Sequence, residues 1–286
     1  MRIRASTLGR LRMVNPTLRC PCDRNNGAPS FVYDSPPAGE TSFNLQAQKY
    51  HRSFWRCNLC SHEFAEHSLD LSALYGGAYV EQTYGDRMLE TFERIVSLPE
   101  VRSDNLGRVR RLLDFAAGHF AEGKVPTLLD IGAGLGVFPY AMKQAGWMCT
   151  ALDPDPRAGH HIAEHVGVKS IIGDFFSVDR AELGCFDVIT LNKVIEHVED
   201  PVAMLSKAAS VLSPGGFVYV EVPDVAAAVH GPGREEYFIE HHHVFSPASL
   251  AMCGERSGLV LTNLDRIREP SGKFTLRSFF KQPSVA

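Results

Sequence analysis

The stretch "TLLDIGAGLGVFPYAMKQAGWMCTALDPD", residues 127–155, runs from an apolar segment ending in Asp130 into three alternate glycines, Gly132, Gly134 and Gly136. A second apolar segment then closes on Asp153. A strand that enters a glycine-rich turn and opens a helix is a nucleotide cradle, because the backbone can approach a ligand only where no Cβ intervenes. A phosphate-binding P-loop needs Lys and then Ser or Thr after the glycines, and "GLGVFPY" has neither. The dinucleotide spacing G-x-G-x-x-G is also broken, since Val137 stands where the last glycine belongs.

The acids around the loop point to a different ligand. Asp130 repels a pyrophosphate and suits an ammonium group. Asp153, at the end of the second strand, accepts from ribose hydroxyls. Asp174, in "IIGDFF", ends the third strand, where a carboxylate accepts from an adenine amino group. Ribose, adenine and a cationic end describe S-adenosylmethionine better than NAD.

Outward from the loop, strands are expected at 127–131, 147–153, 169–173, 186–191 and 216–222, with helices near 136–145, 156–166 and 201–212. That alternation implies right-handed crossovers and a parallel sheet. A further helix at 247–257 starts behind Ser246-Pro247. "LVLTNLDRI" and "KFTLRSFF", joined by "REPSG", form a hairpin that ends the sheet antiparallel. Upstream, two helices are expected between Asp86 and Phe120, broken by Pro99 and recapped at Ser103-Asp104-Asn105. Short strands are expected at "SFVY" and "YHRSFWRC".

The motifs "LLDIGAGLG", "ALDPD", "GDFF", "FDVITLNKVIEHVEDP" and "LSPGGFVYVEVPD", in this order across 127–224, resemble the class I S-adenosylmethionine-dependent methyltransferases. The resemblance implies an α/β, Rossmann-like, seven-stranded and mostly parallel sheet with an antiparallel last strand. It also implies that Asn192 lines the methionyl part of the cofactor. Glu196 and His197 of "IEHVEDP" either cap and orient the next helix or touch substrate.

Seven cysteines are present, and four cluster early: Cys20, Cys22, Cys57 and Cys60. Two pairs of thiolates suit a tetrahedral, structural Zn2+ in a segment too small for its own core. "CNLCSHEF" is a good knuckle and "CPC" a tighter one, with Asp23, His51 or His62 as substitute ligands. Cys149, Cys185 and Cys253 read as buried small hydrophobes. An amino-terminal Cys-pair module before this core resembles the sugar C-methyltransferases, as does "FIEHHHVFSPASL", with Glu240-His241 ahead of Phe245-Ser246. Those enzymes carry CxxC at the first pair and a further carboxy-terminal domain, so the resemblance implies a carbohydrate-type acceptor without fixing carbon as its atom.

Methyl transfer to an alcohol needs a base, and neutral imidazole suits that task. His241 is the expected base, oriented by Glu240, with His243 second; the plain alternative is a polar loop capping the helix at 247. Three consecutive histidines cannot all face one ion in regular backbone. Acceptor contacts are expected from "HGPGREEYF" and from a helical lid that includes "YGGAYVEQTYGDR". The expected organisation is a Cys-rich zinc module over 1–70, a helical lid or linker over 71–120 and a methyltransferase domain over 121–286.

The bulk numbers are compatible with this. With 44% hydrophobic residues, 22% charged residues and a net charge of -4, no basic field draws the chain to nucleic acid. No apolar run reaches membrane-spanning length. Arg2, Arg4, Arg10, Arg12 and Arg19 read as a basic arm rather than a transit peptide, and a cytoplasmic setting is expected. The partner is a small-molecule or carbohydrate acceptor. Competing functions are an O-methyltransferase of a small aromatic or quinone-like acceptor, a non-catalytic zinc-stabilised binding module, and an NAD-dependent oxidoreductase. The sequence does not set the oligomeric state.

Overall fold

The structure, a computed structural model, describes residues 20–24, 27–40, 49–67, 69 and 87–283. The basic arm through residue 19 and the tyrosine-rich residues 75–86 lie outside the described residues. In chain order the elements are β1 (Gly27–Tyr33), β2 (Arg52–Cys57), β3 (Glu63–His67), α1 (Met88–Val96), α2 (Asp104–Ala117), β4 (Thr127–Ile131) and α3 (Val137–Gln144). They continue with β5 (Met148–Asp153), α4 (Pro156–His161), β6 (Lys169–Ile172), α5 (Arg180–Leu183), β7 (Phe186–Asn192), α6 (Pro201–Ser210) and β8 (Leu212–Pro223). The chain closes with β9 (His243–Val244), α7 (Pro247–Arg256), β10 (Val260–Arg268) and β11 (Phe274–Lys281).

Seven strands form one sheet in the order β10-β11-β8-β7-β4-β5-β6. The five strands from β8 to β6 are parallel, and β11 runs antiparallel to both β8 and β10. Alternation along the pleat assigns neighbouring residues to opposite faces. Leu129, Ile189 and Val218 pack on one face with Leu205 of α6 and Leu250 of α7. Leu128, Val188 and Phe217 pack on the other with Leu112 of α2 and with Phe138 and Met142 of α3. Truncating fully buried Leu112 to Ala would cost about 2–5 kcal/mol.

Local signals place the helices. Ser103 Oγ accepts from Leu106 N at 3.2 Å, Asp200 Oδ1 from Ala203 N at 2.9 Å and Ser246 Oγ from Ser249 N at 3.0 Å, so each helix start is capped. The helix expected over 156–166 ends its regular part at His161 and continues as a π turn to Val166, stopped by left-handed Gly167. Strand β8 starts four residues before the expected 216, at Leu212.

A second sheet has the order β1-β2-β3-β9. It draws on both sides of the boundary expected near residue 70, because β9 follows β8 in the chain and pairs with β3 through Phe64↔His243 and Glu63↔Val244. Of the three scattered cysteines, Cys253 is buried, Cys149 half-buried and Cys185 exposed. Cys185 corrects the expectation: with Gly184 it forms the exposed turn between buried Leu183 and Phe186, just before β7. Among the described residues no helix is long and apolar enough to cross a membrane.

Candidate functional site

The glycine loop joins β4 to α3. Gly132, Gly134 and Gly136 have φ of 67°, 54° and 71°, a region that disfavours residues with a Cβ. The three serve different ends. A Cβ on Gly132 would meet Val194 at 2.8 Å, and one on Gly136 would meet Val166 at 2.7 Å, so both are packing positions. A Cβ on Gly134 would meet nothing within 4 Å, so its backbone borders open space.

The expected acids surround this loop unevenly. Asp130 is buried at the tip of β4, and its Oδ1 accepts from Thr190 Oγ1 at 2.6 Å and Asn192 Nδ2 at 2.9 Å. Burial pushes its carboxyl up to about 7, against the pull of those two donors. Asp153 Oδ2 accepts from Gly134 N at 2.8 Å and Oδ1 from Asp155 N at 2.9 Å, and burial raises its carboxyl too. Each oxygen retains a lone pair for a ribose hydroxyl. Asp174 is exposed and closes its own turn, accepting from Phe176 N at 3.1 Å and Ser177 Oγ at 3.0 Å. Asn192 ends β7 beside Asp130, and its buried Oδ1 has no hydrogen-bond partner among the described residues.

The groups present therefore fit S-adenosylmethionine. A bare backbone borders open space, a buried carboxyl stands where a cationic group would ionise it, and an amide oxygen awaits a donor. Thr190 was missed from the sequence. Its signal is a polar residue in an apolar strand, in register with Asp130 across β4 and β7.

Just past Asn192 lies a second group. Glu196 is fully buried, and both its carboxylate oxygens lack a hydrogen-bond partner among the described residues. Burial pushes it up to about 8, with the Lys193 ammonium pulling the other way. The helix behind it is capped by Asp200, so capping is not the work of Glu196. One ligand atom each from Glu196, His197 and His241 lies within 4.8 Å of the others. His197 Nδ1 meets the Glu240 carbonyl oxygen at 2.9 Å, and His241 Nδ1 meets that of Glu236 at 2.9 Å. A carbonyl only accepts, so each Nδ1 carries the proton and each Nε2 presents a lone pair. Burial holds both imidazoles below their usual range, His197 at about 4, so they are neutral at pH 7. A carboxylate and two imidazoles suit a divalent cation by donor type. The charge of the Lys193 ammonium, three positions before Glu196 in the chain, disfavours protonation of all three.

Two expectations about the base change here. The carbonyl of Glu236 orients the Nδ1 edge of His241, whereas the Glu240 carboxylate was expected to orient it. His243 is a strut rather than a second base. Its Nδ1 pairs with His62 Nε2 at 3.0 Å and its Nε2 with the Glu199 carbonyl at 3.3 Å, so both ring nitrogens are used.

The four early cysteines converge. Sγ–Sγ distances are 3.2 Å for Cys20–Cys60, 3.3 Å for Cys20–Cys22 and 3.5 Å for Cys22–Cys57, and all four sulfurs lie within 4.8 Å of one another. A tetrahedral zinc with Zn–S near 2.3 Å sets sulfur–sulfur edges of about 3.8 Å, so the donor set fits. Hydrogen bonding from Cys20 lowers the Cys60 thiol to about 5, favouring a thiolate. Asp23 and Ser61, each directly after a Cys pair, take left-handed φ of 62° and 58°, which turns both knuckles inward. The CxC pair therefore reaches the cluster despite its short spacer. The cluster docks on α7 through Ser246 Oγ to the Cys60 carbonyl and Arg256 Nη1 to the Pro21 carbonyl at 3.0 Å.

Comparison with known proteins supports the fold. A family model described as a methyltransferase domain matches residues 101–264. The chain is 36% identical over 127 residues to a ubiquinone biosynthesis O-methyltransferase of Caulobacter vibrioides, covering 42% of this chain and 48% of that protein. It is 29% identical over 155 residues to the enzyme of that name from Xanthomonas axonopodis pv. citri, covering 48% and 64%. The chain thus spans about half the length of the curated relatives it matches. Among solved structures, magnesium protoporphyrin IX methyltransferase from Synechocystis PCC 6803, with bound SAH, superposes with a TM-score of 0.53 at 15% identity, over 72% of this chain and 99% of that one. The 1,6-didemethyltoxoflavin-N1-methyltransferase of Burkholderia thailandensis gives 0.54 at 18% identity, over 86% and 100%. At these identities the likeness is one of fold.

Proposed function

Because the chain belongs to the methyltransferase-domain family, we propose that it is an S-adenosylmethionine-dependent O-methyltransferase acting on a small hydroxylated aromatic or quinol-like acceptor. When bound, the cofactor supplies an electrophilic methyl group on sulfonium. Asp153 accepts from the ribose, Asp174 borders the adenine, and Asn192 with Asp130 holds the methionyl end. Gly134 lets the backbone lie against the ligand. The Glu236 carbonyl fixes the tautomer of His241, whose Nε2 takes the acceptor's hydroxyl proton. The carrying observation is that neutral, tautomer-fixed imidazole beside Glu196, a few residues past the tip of β7. The names of the curated relatives support oxygen as the methylated atom.

The carbohydrate-type acceptor is the second reading, and it rests on the Glu240-His241 and Cys-pair motifs alone. We assign the cysteine cluster a structural zinc, since four thiolates leave no open position for water. The test is transfer of labelled methyl to a panel of catechols, quinols and nucleotide-sugars. Label in the phenolic arm supports the proposal. Label only in the nucleotide-sugar arm replaces it with the second reading.

A further inference from the structure

Lys193 follows Asn192 directly and holds a left-handed backbone, φ 60°, that is unfavourable for any residue with a Cβ. Its backbone N–H donates to the Glu221 carbonyl at 2.9 Å, which fixes the turn. Its side chain is partly buried, and its ammonium donates to Thr275 Oγ1 at 2.7 Å. That is the one hydrogen bond the ammonium makes among the described residues, and its other two N–H donors meet no acceptor among them.

The acids around it are occupied or distant in role. Glu221 of β8 accepts from Arg108 Nε and Nη2 at 2.9 and 2.5 Å, from Arg277 Nε at 3.2 Å and from the Tyr219 hydroxyl at 2.9 Å. Glu269 is held by Arg277 at 2.8 Å. Glu196 belongs to the group with His197 and His241. The titratable groups that face Lys193 are thus Glu221, Glu196, Glu269 and Arg108, with burial weakening its charge and the acids, ionised Glu221 foremost, sustaining it.

His241 has its Nδ1 tied to the Glu236 carbonyl, so its Nε2 is the atom that can take a proton. An ammonium that meets the acceptor's hydroxyl makes that proton easier to give up. We propose that Lys193 is an acceptor-binding catalytic residue whose ammonium meets the oxygen to be methylated and holds it as an oxyanion. This rests on the methyl-transfer reading of the same site. The hydroxyl proton passes to His241 Nε2. The oxygen forms its bond to the methyl carbon, the sulfur–methyl bond breaks with its electron pair left on sulfur, and His241 returns the proton to solvent.

The test uses the full chain with S-adenosylhomocysteine and 4-nitrocatechol, whose ionisation is visible in its absorbance. Bound to the unmodified protein, the probe should ionise roughly one pH unit or more below its free midpoint. Lys193→Met should abolish that shift while leaving S-adenosylhomocysteine affinity intact, and Lys193→Arg should retain part of it. An unchanged midpoint in Lys193→Met overturns the proposal, and so does loss of S-adenosylhomocysteine binding in that variant, which would make Lys193 a scaffold residue. If the unmodified protein methylates the probe without shifting its ionisation, Lys193 fails alone. If it binds S-adenosylhomocysteine but not the probe, the aromatic-acceptor reading fails with it.

Discussion

Asn192 Nδ2 donates to Asp130 Oδ1 at 2.9 Å, joining the tips of two adjacent parallel strands directly beside the glycine loop. The bond spends one amide donor on a carboxyl that burial has pushed up to about 7. The pair is therefore poised to respond to a cation. A ligand ammonium favours the ionised form, so ligand binding below pH 7 must first expel a proton. S-adenosylhomocysteine should bind roughly tenfold more tightly at pH 8 than at pH 6, with net proton release at the lower pH. Calorimetry in buffers of different ionisation enthalpy reads both quantities. Affinity and proton count that are flat across this range would remove Asp130 from the site.

His241 and His243 are neighbours with different work. His241→Ala should slow transfer by roughly two orders of magnitude and spare S-adenosylhomocysteine binding. His243→Ala strands His62 and the Glu199 carbonyl in a buried place, so it should lower stability by about 1–3 kcal/mol and leave turnover of the folded fraction near normal. Single-turnover rates and urea melts on both variants separate the roles. Equal turnover in His241→Ala would end its assignment as base.

Glu196 is a stability cost at neutral pH. Its folded carboxyl lies at about 8, above the ordinary range, so folding is penalised increasingly as pH rises from about 4.5 to 8. Glu196→Gln should raise the melting temperature by about 2–4 °C at pH 8, with the gain shrinking toward pH 5. Thermal melts at the two pH values check the sign. A gain larger at pH 5 would contradict the unpaired burial.

The cysteine cluster should carry about one zinc per chain. The cluster docks on α7, and β3 that follows it pairs with β9, so stripping the metal should loosen residues 241–244 before the larger sheet. Hydrogen exchange after chelation should rise there while β4 and β7 stay protected. Metal analysis that finds no zinc under reducing conditions would remove the metal.

The parallel part of the large sheet was legible because each of its strands carries an apolar run closed by a turn signal. Asp130 and Asp153 fell at strand tips, where spacing locates them, and Asn192 came from the family resemblance. The small sheet was less legible. β9 has two residues, and its pairing with β3 joins segments separated by about 180 positions in the chain. No local pattern records that contact, and it is the contact that turns His243 into a strut. Glu196 read equally well as a helix-orienting residue, because burial without a partner is a property of the fold. Lys193 was silent for the same reason: its strain, and the lack of an acceptor for two of its donors among the described residues, exist only in three dimensions.

The central claim is that the crevice at Gly134 and Asp153 holds an adenosyl ligand with a cationic end, and equilibrium calorimetry tests it most directly. S-adenosylhomocysteine should bind one per chain, Asp153→Ala should weaken it at least roughly tenfold, and NAD should give no heat. No heat from S-adenosylhomocysteine, or unchanged affinity in Asp153→Ala, would contradict the account.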